Sequence, residues 1–170
     1  KGDVKFENVD FSYIENEPVL KDLSLDIKSG ESVAFVGFTG SGKTTIINLL
    51  LGFYKPQKGT IKIDGKNFND YSVDSIRENI SLVPQDPVLF MGDVRSNIRL
   101  DKDFTDEEVE NALRDIGADR LIDFRNGLDE EVKDNGASFS AGEKQLIAFA
   151  RSYIANPKIL ILDEATANID

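Results

Sequence analysis

Gly37-Phe38-Thr39-Gly40-Ser41-Gly42-Lys43-Thr44 fits the G-x-x-x-x-G-K-[ST] pattern of a phosphate-cradling loop. Its setting suits that chemistry. Ser32 to Val36 predicts a buried strand, and Thr45 to Leu51 predicts the helix that follows it. Gly37, Gly40 and Gly42 carry no Cβ, so the backbone can wrap closely around phosphate oxygens. The N–H groups of the loop and of the helix N-terminus then converge as donors. In such a loop Lys43 meets the β- and γ-phosphates and Thr44 holds Mg²⁺, with Thr39, Ser41 and Thr45 completing the cradle. The stretch predicts a nucleoside-triphosphate site.

A second stretch supplies the other half of such a site. Ile159-Leu160-Ile161-Leu162 is a continuous apolar run and predicts a strand buried on both faces. It ends on Asp163-Glu164, and ligands of open α/β sheets gather at the carboxyl ends of strands. Asp163 is placed to reach Mg²⁺, directly or through water, and Glu164 to orient or deprotonate the attacking water. Alone, the pattern equally describes an ordinary strand end followed by a cap. Behind an intact phosphate loop, the catalytic reading is the stronger one.

Composition narrows the class. The 170 residues suffice for one domain with a proper core. There is no long apolar run of membrane-spanning length and no signal-peptide pattern at the start. With no cysteine and no histidine, disulfides, thiolate chemistry and the usual zinc ligands are excluded. Asp and Glu outnumber Lys and Arg by 31 to 20, a net charge of −11, which argues against a nucleic-acid footprint.

The first part of the chain reads as antiparallel sheet around the phosphate-loop core. Val4 to Phe11 and Val19 to Ile27 predict paired strands across a turn at Ile14 to Pro18. Ser29-Gly30 and Pro56 to Gly59 predict turns, Thr60 to Ile63 a strand, and Asp64-Gly65 a hairpin. Ser72 to Asn79 predicts a helix and Ile80 to Val83 a strand. From Asp93 the character changes to helical. Thr105-Asp106-Glu107-Glu108 is a capping box, followed by Val109, Ala112, Leu113 and Ile116 at helical spacing. Gly127 to Gly136 predicts an acidic loop, Ala141 to Ala155 a long helix, and Asn156-Pro157 its stop. The expected organisation is a β subdomain and P-loop core over 1–91, a helical subdomain over 92–155, and a return to the core over 156–170.

Other motifs fall in a recognisable order. Phe11-Ser12-Tyr13 precedes the phosphate loop, and Val83-Pro84-Gln85-Asp86-Pro87 follows it. Phe139-Ser140-Ala141-Gly142-Glu143-Lys144-Gln145 opens the long helix, and Asp163 to Asp170 reads DEATANID. With these motifs the chain resembles the nucleotide-binding domain of ABC transporters of the exporter type, from about residue 4 onward. The resemblance implies an α/β fold, a P-loop NTPase core of ABC-ATPase type with an N-terminal antiparallel β subdomain and an inserted α-helical subdomain. It implies ATP and Mg²⁺ as ligands and Mg-dependent ATP hydrolysis that powers export. It also implies roles residue by residue. Tyr13 stacks on adenine. Gln85 reaches Mg²⁺ or the attacking water, beside Lys43 and Glu164. Ser140 and Gly142 contact the γ-phosphate held by a facing domain. The implied partners are transmembrane domains of the same or another chain and a second nucleotide-binding domain in a head-to-tail dimer, with no nucleic acid. The implied location is the cytoplasmic face of the cell membrane.

Each of these residues also has a plainer reading. Tyr13 can be a strand-end aromatic, Gln85 a polar loop residue, and Ser140 with Glu143 a capping box. The chain departs from the family pattern at Phe139, Ala141 and Glu143 of the signature and at Ala167, where serine is usual. A carboxylate at Glu143 would repel a facing triphosphate unless it turns back to its own backbone. The family's switch histidine is absent, which predicts a chain truncated after the D-loop. A soluble ABC-type ATPase and an ATP-binding regulatory half-site are the alternative functions.

Overall fold

The structure, a computed structural model, describes residues 1–123 and 126–163. Glu164 and the DEATANID residues beyond it, Ala167 included, lie outside the described residues. The chain forms two compact units, Lys1–Ile80 and Ser81–Asp170.

The first unit is built on a sheet. Strands β1 (Val4–Ile14) and β2 (Glu17–Ile27) pair antiparallel, with Val4 opposite Ile27 and Phe6 opposite Leu25. On its other side β1 pairs antiparallel with β3 (Lys58–Ile63), which turns into β4 (Lys66–Asn67), so the order is β2-β1-β3-β4. Between β3 and β4, Asp64 and Gly65 both have positive φ, as a tight hairpin turn requires. Val4, Phe6, Val9, Phe11, Leu20 and Ile61 are buried and form the sheet's share of the core. Lys5, Glu7 and Lys62 alternate with them and form ion pairs on the other face. At Gly59 a Cβ would come within 2.4 Å of the Glu7 carbonyl oxygen, so β1 and β3 can close only over glycine.

Helix α1 (Lys43–Leu50) buries Ile46, Leu49 and Leu50, and α2 (Val73–Asn79) starts on Ser72, whose hydroxyl accepts from the Ser75 N–H. One expectation fails in this unit. Ser32 to Val36 does not form a strand, and Val36 is 95% exposed. Apolar β-branched residues favour a strand only when a neighbour completes the ladder and covers their side chains. Among the described residues no strand pairs with this segment.

In the second unit, β5 (Ile80–Val83) pairs with β8 (Ile159–Leu162). The burial expected for β8 on both faces is only partial. Ile159 to Ile161 are half-buried and Leu162 is exposed. A fully buried strand needs neighbours on both edges, and β8 has one among the described residues.

The rest of this unit is helical. Short strands β6 (Gly92–Asp93) and β7 (Glu131–Val132) pair antiparallel around α3 (Val94–Arg99), α4 (Asp106–Asp115) and α5 (Arg120–Asp123). Helix α6 (Ala141–Ile154) packs on α3 and α4. Their core holds Leu89, Val94, Ile98, Val109, Leu113 and Ile147. The acidic run Gly127 to Gly136, expected as a loop, is partly ordered. It contains two 3₁₀ turns and β7, because Leu128 and Val132 are drawn into the helical core. Asn156 has positive φ and ends α6 just before Pro157. Among the described residues no helix is long and apolar enough to cross a membrane.

Candidate nucleotide site

In the first unit the site grows from the start of α1. Gly42 caps this helix in the left-handed region, φ 93°, and Gly40 has φ 84°. A Cβ on Gly42 would come 2.8 Å from Leu20 Cδ2, and one on Gly37 would come 2.6 Å from Ser41 Oγ. The loop is therefore shaped for glycine by both dihedral and space. It closes on itself through the Ser41 N–H, which donates to Phe38 O at 3.0 Å. Lys43 Nζ donates to Gly37 O and, at 3.1 Å, to Phe38 O. The ammonium thus rests on the loop's own carbonyls. Thr44 is exposed at the first turn of the helix, and Thr45 is buried.

Tyr13 stands beside this helix. Its hydroxyl donates to Thr45 Oγ1 at 3.2 Å and accepts from Asn48 Nδ2 at 3.0 Å. Its ring meets Phe11 and Tyr54 edge-to-face, at 4.9 Å and 5.1 Å between centroids. The aromatic predicted for the base and a threonine predicted for the phosphates are therefore directly bonded.

In the second unit, Gln85 is exposed just after β5. Its backbone is tied to α6, because Gln145 Nε2 donates to Gln85 O and, at 3.4 Å, to Pro84 O. Gln145 itself is 2% exposed, and its Oε1 has no hydrogen-bond partner among the described residues. A shallow cavity beside it is lined by Gln85, Asp86, Pro87, Phe139, Ala141 and Lys144.

Ser140 caps α6 with a full capping box. The Ser140 N–H donates to Glu143 Oε2 at 2.7 Å, and the Glu143 N–H donates to Ser140 Oγ at 3.1 Å. The Glu143 carboxylate is thereby turned onto its own backbone. Ala141 opens the helix and Gly142 lies within it. Asp163 follows β8, its N–H donating to Val83 O at 3.0 Å.

Downstream of Gln85, Asn97 is 1% exposed and ties the chain at Phe90 to α3 and α6. Its Nδ2 donates to Phe90 O at 2.8 Å and its Oδ1 accepts from Phe90 N at 2.7 Å and Arg151 Nη2 at 3.1 Å. Arg151 also donates through Nε to Asn97 O and through Nη1 to Val88 O. Burial pushes the Arg151 guanidinium down from its ordinary value, and these acceptors compensate its lost water.

Residues 20–167 match the ABC transporter family. The chain belongs to this family. Two relatives illustrate how far the likeness of this ABC transporter chain extends. It is 48% identical to the uncharacterized ABC transporter ATP-binding protein YknV of Bacillus subtilis, with 99% of the chain aligned to 28% of that protein. It is 45% identical to ATP-binding cassette sub-family B member 6 of Xenopus tropicalis, with 99% of the chain aligned to 20% of that protein. Among solved structures, a bacterial Atm1-family ABC exporter with ATP bound matches at TM-score 0.93 and 39% identity, over all of this chain and 30% of that one. The ABC transporter chain therefore spans less than a third of each of these proteins. As a member of the family it carries an ATP-binding domain of the exporter type.

Three residues of the ABC transporter domain carry contacts that its motifs do not announce: Asn48, Asn97 and Gln145. The last two are buried polar side chains, and the sole local hint is an amide inside an apolar helical stretch.

Proposed function

We propose that this chain is the ATP-hydrolysing motor domain of an export transporter held at the cytoplasmic face of a membrane by transmembrane domains. The observation that carries the reading is the glycine loop opening α1, with Lys43 and Thr44 at its end and Tyr13 fixed beside it. The likeness to an exporter with ATP bound supports the direction of transport.

In this reading Gly37, Thr39, Gly40, Ser41 and Gly42 wrap the phosphates, and Thr45 donates to them from the first turn of α1. Lys43 leaves the Gly37 and Phe38 carbonyls for the β- and γ-phosphates, exchanging neutral acceptors for charged ones. Tyr13 offers its ring to adenine. Thr44, Gln85 and Asp163 would hold Mg²⁺. A hydroxyl, an amide oxygen and a carboxylate are the hard oxygen donors that this ion takes, and Thr44 is exposed with no side-chain hydrogen bond recorded among the described residues. When bound, the ion supplies charge neutralisation for the leaving phosphates. Gln85 and Glu164 orient the attacking water, and Glu164 takes its proton.

A second copy of the domain completes the site from outside. Ser140 and Gly142, at the positive end of α6, contact the γ-phosphate of a nucleotide held by the facing domain. The capping box supports the competence of this face, because it withdraws the Glu143 charge from the approaching phosphate. That favours an active half-site over a merely regulatory one.

The test is Glu164→Gln in the full-length protein in lipid. ATP affinity should persist and turnover should fall to background. Unchanged turnover would remove Glu164 from the chemistry.

A further inference from the structure

We propose that Asn48 is a positioning residue for the nucleotide, acting through the Tyr13 hydroxyl. The inference rests on the reading that Tyr13 stacks on adenine, and it adds to that reading a device that sets the ring.

Three side chains form a hydrogen-bond chain with one direction. Asn48 Nδ2 donates to Tyr13 Oη at 3.0 Å, and Tyr13 Oη donates to Thr45 Oγ1 at 3.2 Å. Thr45 is 4% exposed, and its own hydroxyl hydrogen has no other partner among the described residues.

Geometry makes the chain stiff. Asn48 and Thr45 lie three residues apart on α1 and so share one face of it. The helix is anchored in the core by Ile46, Leu49 and Leu50. Tyr13 is 47% exposed, which would ordinarily leave its ring free to change rotamer. Here two hydrogen bonds hold its hydroxyl and two edge-to-face neighbours, Phe11 and Tyr54, hold its ring. A ring fixed in advance loses less freedom when a base arrives. Asn48 touches no part of the nucleotide in this account. It sets the base platform through the Tyr13 hydroxyl.

The test is calorimetric titration of the intact protein with Mg-ATP and with Mg-tripolyphosphate, which lacks a base. Asn48→Ala and Tyr13→Phe, which keeps the ring, should each weaken ATP binding about fivefold. Tripolyphosphate affinity should not change. The double variant should bind ATP no more weakly than either single variant, because both remove the same chain. Thermal unfolding checks the fold of each variant, and Tyr13→Phe keeps the inference open to refutation if Asn48→Ala is unstable. Wild-type ATP affinity in both single variants, with loss in Tyr13→Ala, would overturn the inference and leave the stacking role standing. Equal weakening for both ligands would also overturn it, since α1 itself would then be disturbed. A wild-type protein that takes up no ATP would overturn the nucleotide-site reading and the inference with it.

Discussion

The buried side-chain amide of Gln145 donates to the backbone carbonyl of Gln85, sixty residues earlier in the chain. The loop that carries Gln85, the residue proposed to position the attacking water, is therefore fastened to α6. Gln145→Leu removes that fastening and also removes an Oε1 that has no hydrogen-bond partner among the described residues. Losing the donor to the Gln85 and Pro84 carbonyls should cost about 1 to 2 kcal/mol of stability, partly offset by removal of the unsatisfied amide oxygen. Turnover of the full-length protein should fall about tenfold while the KM for ATP stays within a factor of about two. Steady-state kinetics beside a thermal melt would show this split, and parallel loss of stability and affinity would contradict it.

Thr105→Ala and Ser140→Ala form a matched pair. Both residues close capping boxes, with Glu108 and Glu143 respectively, and each substitution should cost about 1 kcal/mol in denaturant unfolding. Only Ser140→Ala should lower ATP turnover beyond what its stability loss explains. Equal activity in the two variants would reduce Ser140 to a helix cap.

Asn97→Ala should be severe. It strips the Phe90 backbone and Arg151 of a shared partner and leaves the Phe90 N–H and carbonyl without the amide that holds them, while Asp93 O keeps its bond from Ser96 Oγ. We expect a loss of about 2 to 4 kcal/mol in the unfolding free energy. The denaturation midpoint reads it, and a shift comparable to that of an exposed substitution would be inconsistent with the hub.

Acid stability should depend on Glu7. A hydrogen bond from Lys62, then those from Lys5 and Thr60, bring its carboxyl from 4.5 down to about 2. A carboxyl whose value is lowered by folding stabilises the protein above its unfolded value and loses that contribution as it protonates. The contribution is complete above pH 4.5 and fades as the pH falls toward about 2. Glu7→Gln should flatten the stability profile across that interval, and more weakly at high salt because the pairs are exposed. An unchanged profile in pH-dependent melts would count against the pairing.

Much of this structure could be read from short stretches of sequence. Caps at Ser72, Thr105 and Ser140 are local chemistry, and each helix begins where its cap requires. Asp64-Gly65 supplies the dihedrals that a tight hairpin needs, and Asn156-Pro157 ends α6. The need for glycine between Gly37 and Gly42 was legible for the same reason, since these positions answer to steric demands within a few residues. What escaped depends on distant partners. The apolar run at Ser32 to Val36 looks like a strand, but a strand exists only with a ladder beside it. The acidic run before α6 looks like solvated loop, but Leu128 and Val132 find a core made by α3, α4 and α6. Asn48, Asn97 and Gln145 earn their roles from residues 35, 7 and 60 positions away, and the nearest of these bonds reaches into a turn with no regular pattern.

The grip of Lys43 on Gly37 and Phe38 has a consequence for the resting state. In the proposed reading, the two carbonyls that hold the ammonium stand in for the phosphate oxygens. The curvature of the cradle is then maintained between visits, and an arriving triphosphate meets a finished shape. On that reading, entry is a swap of acceptors at one ammonium group in place of a refolding of the loop around each new guest.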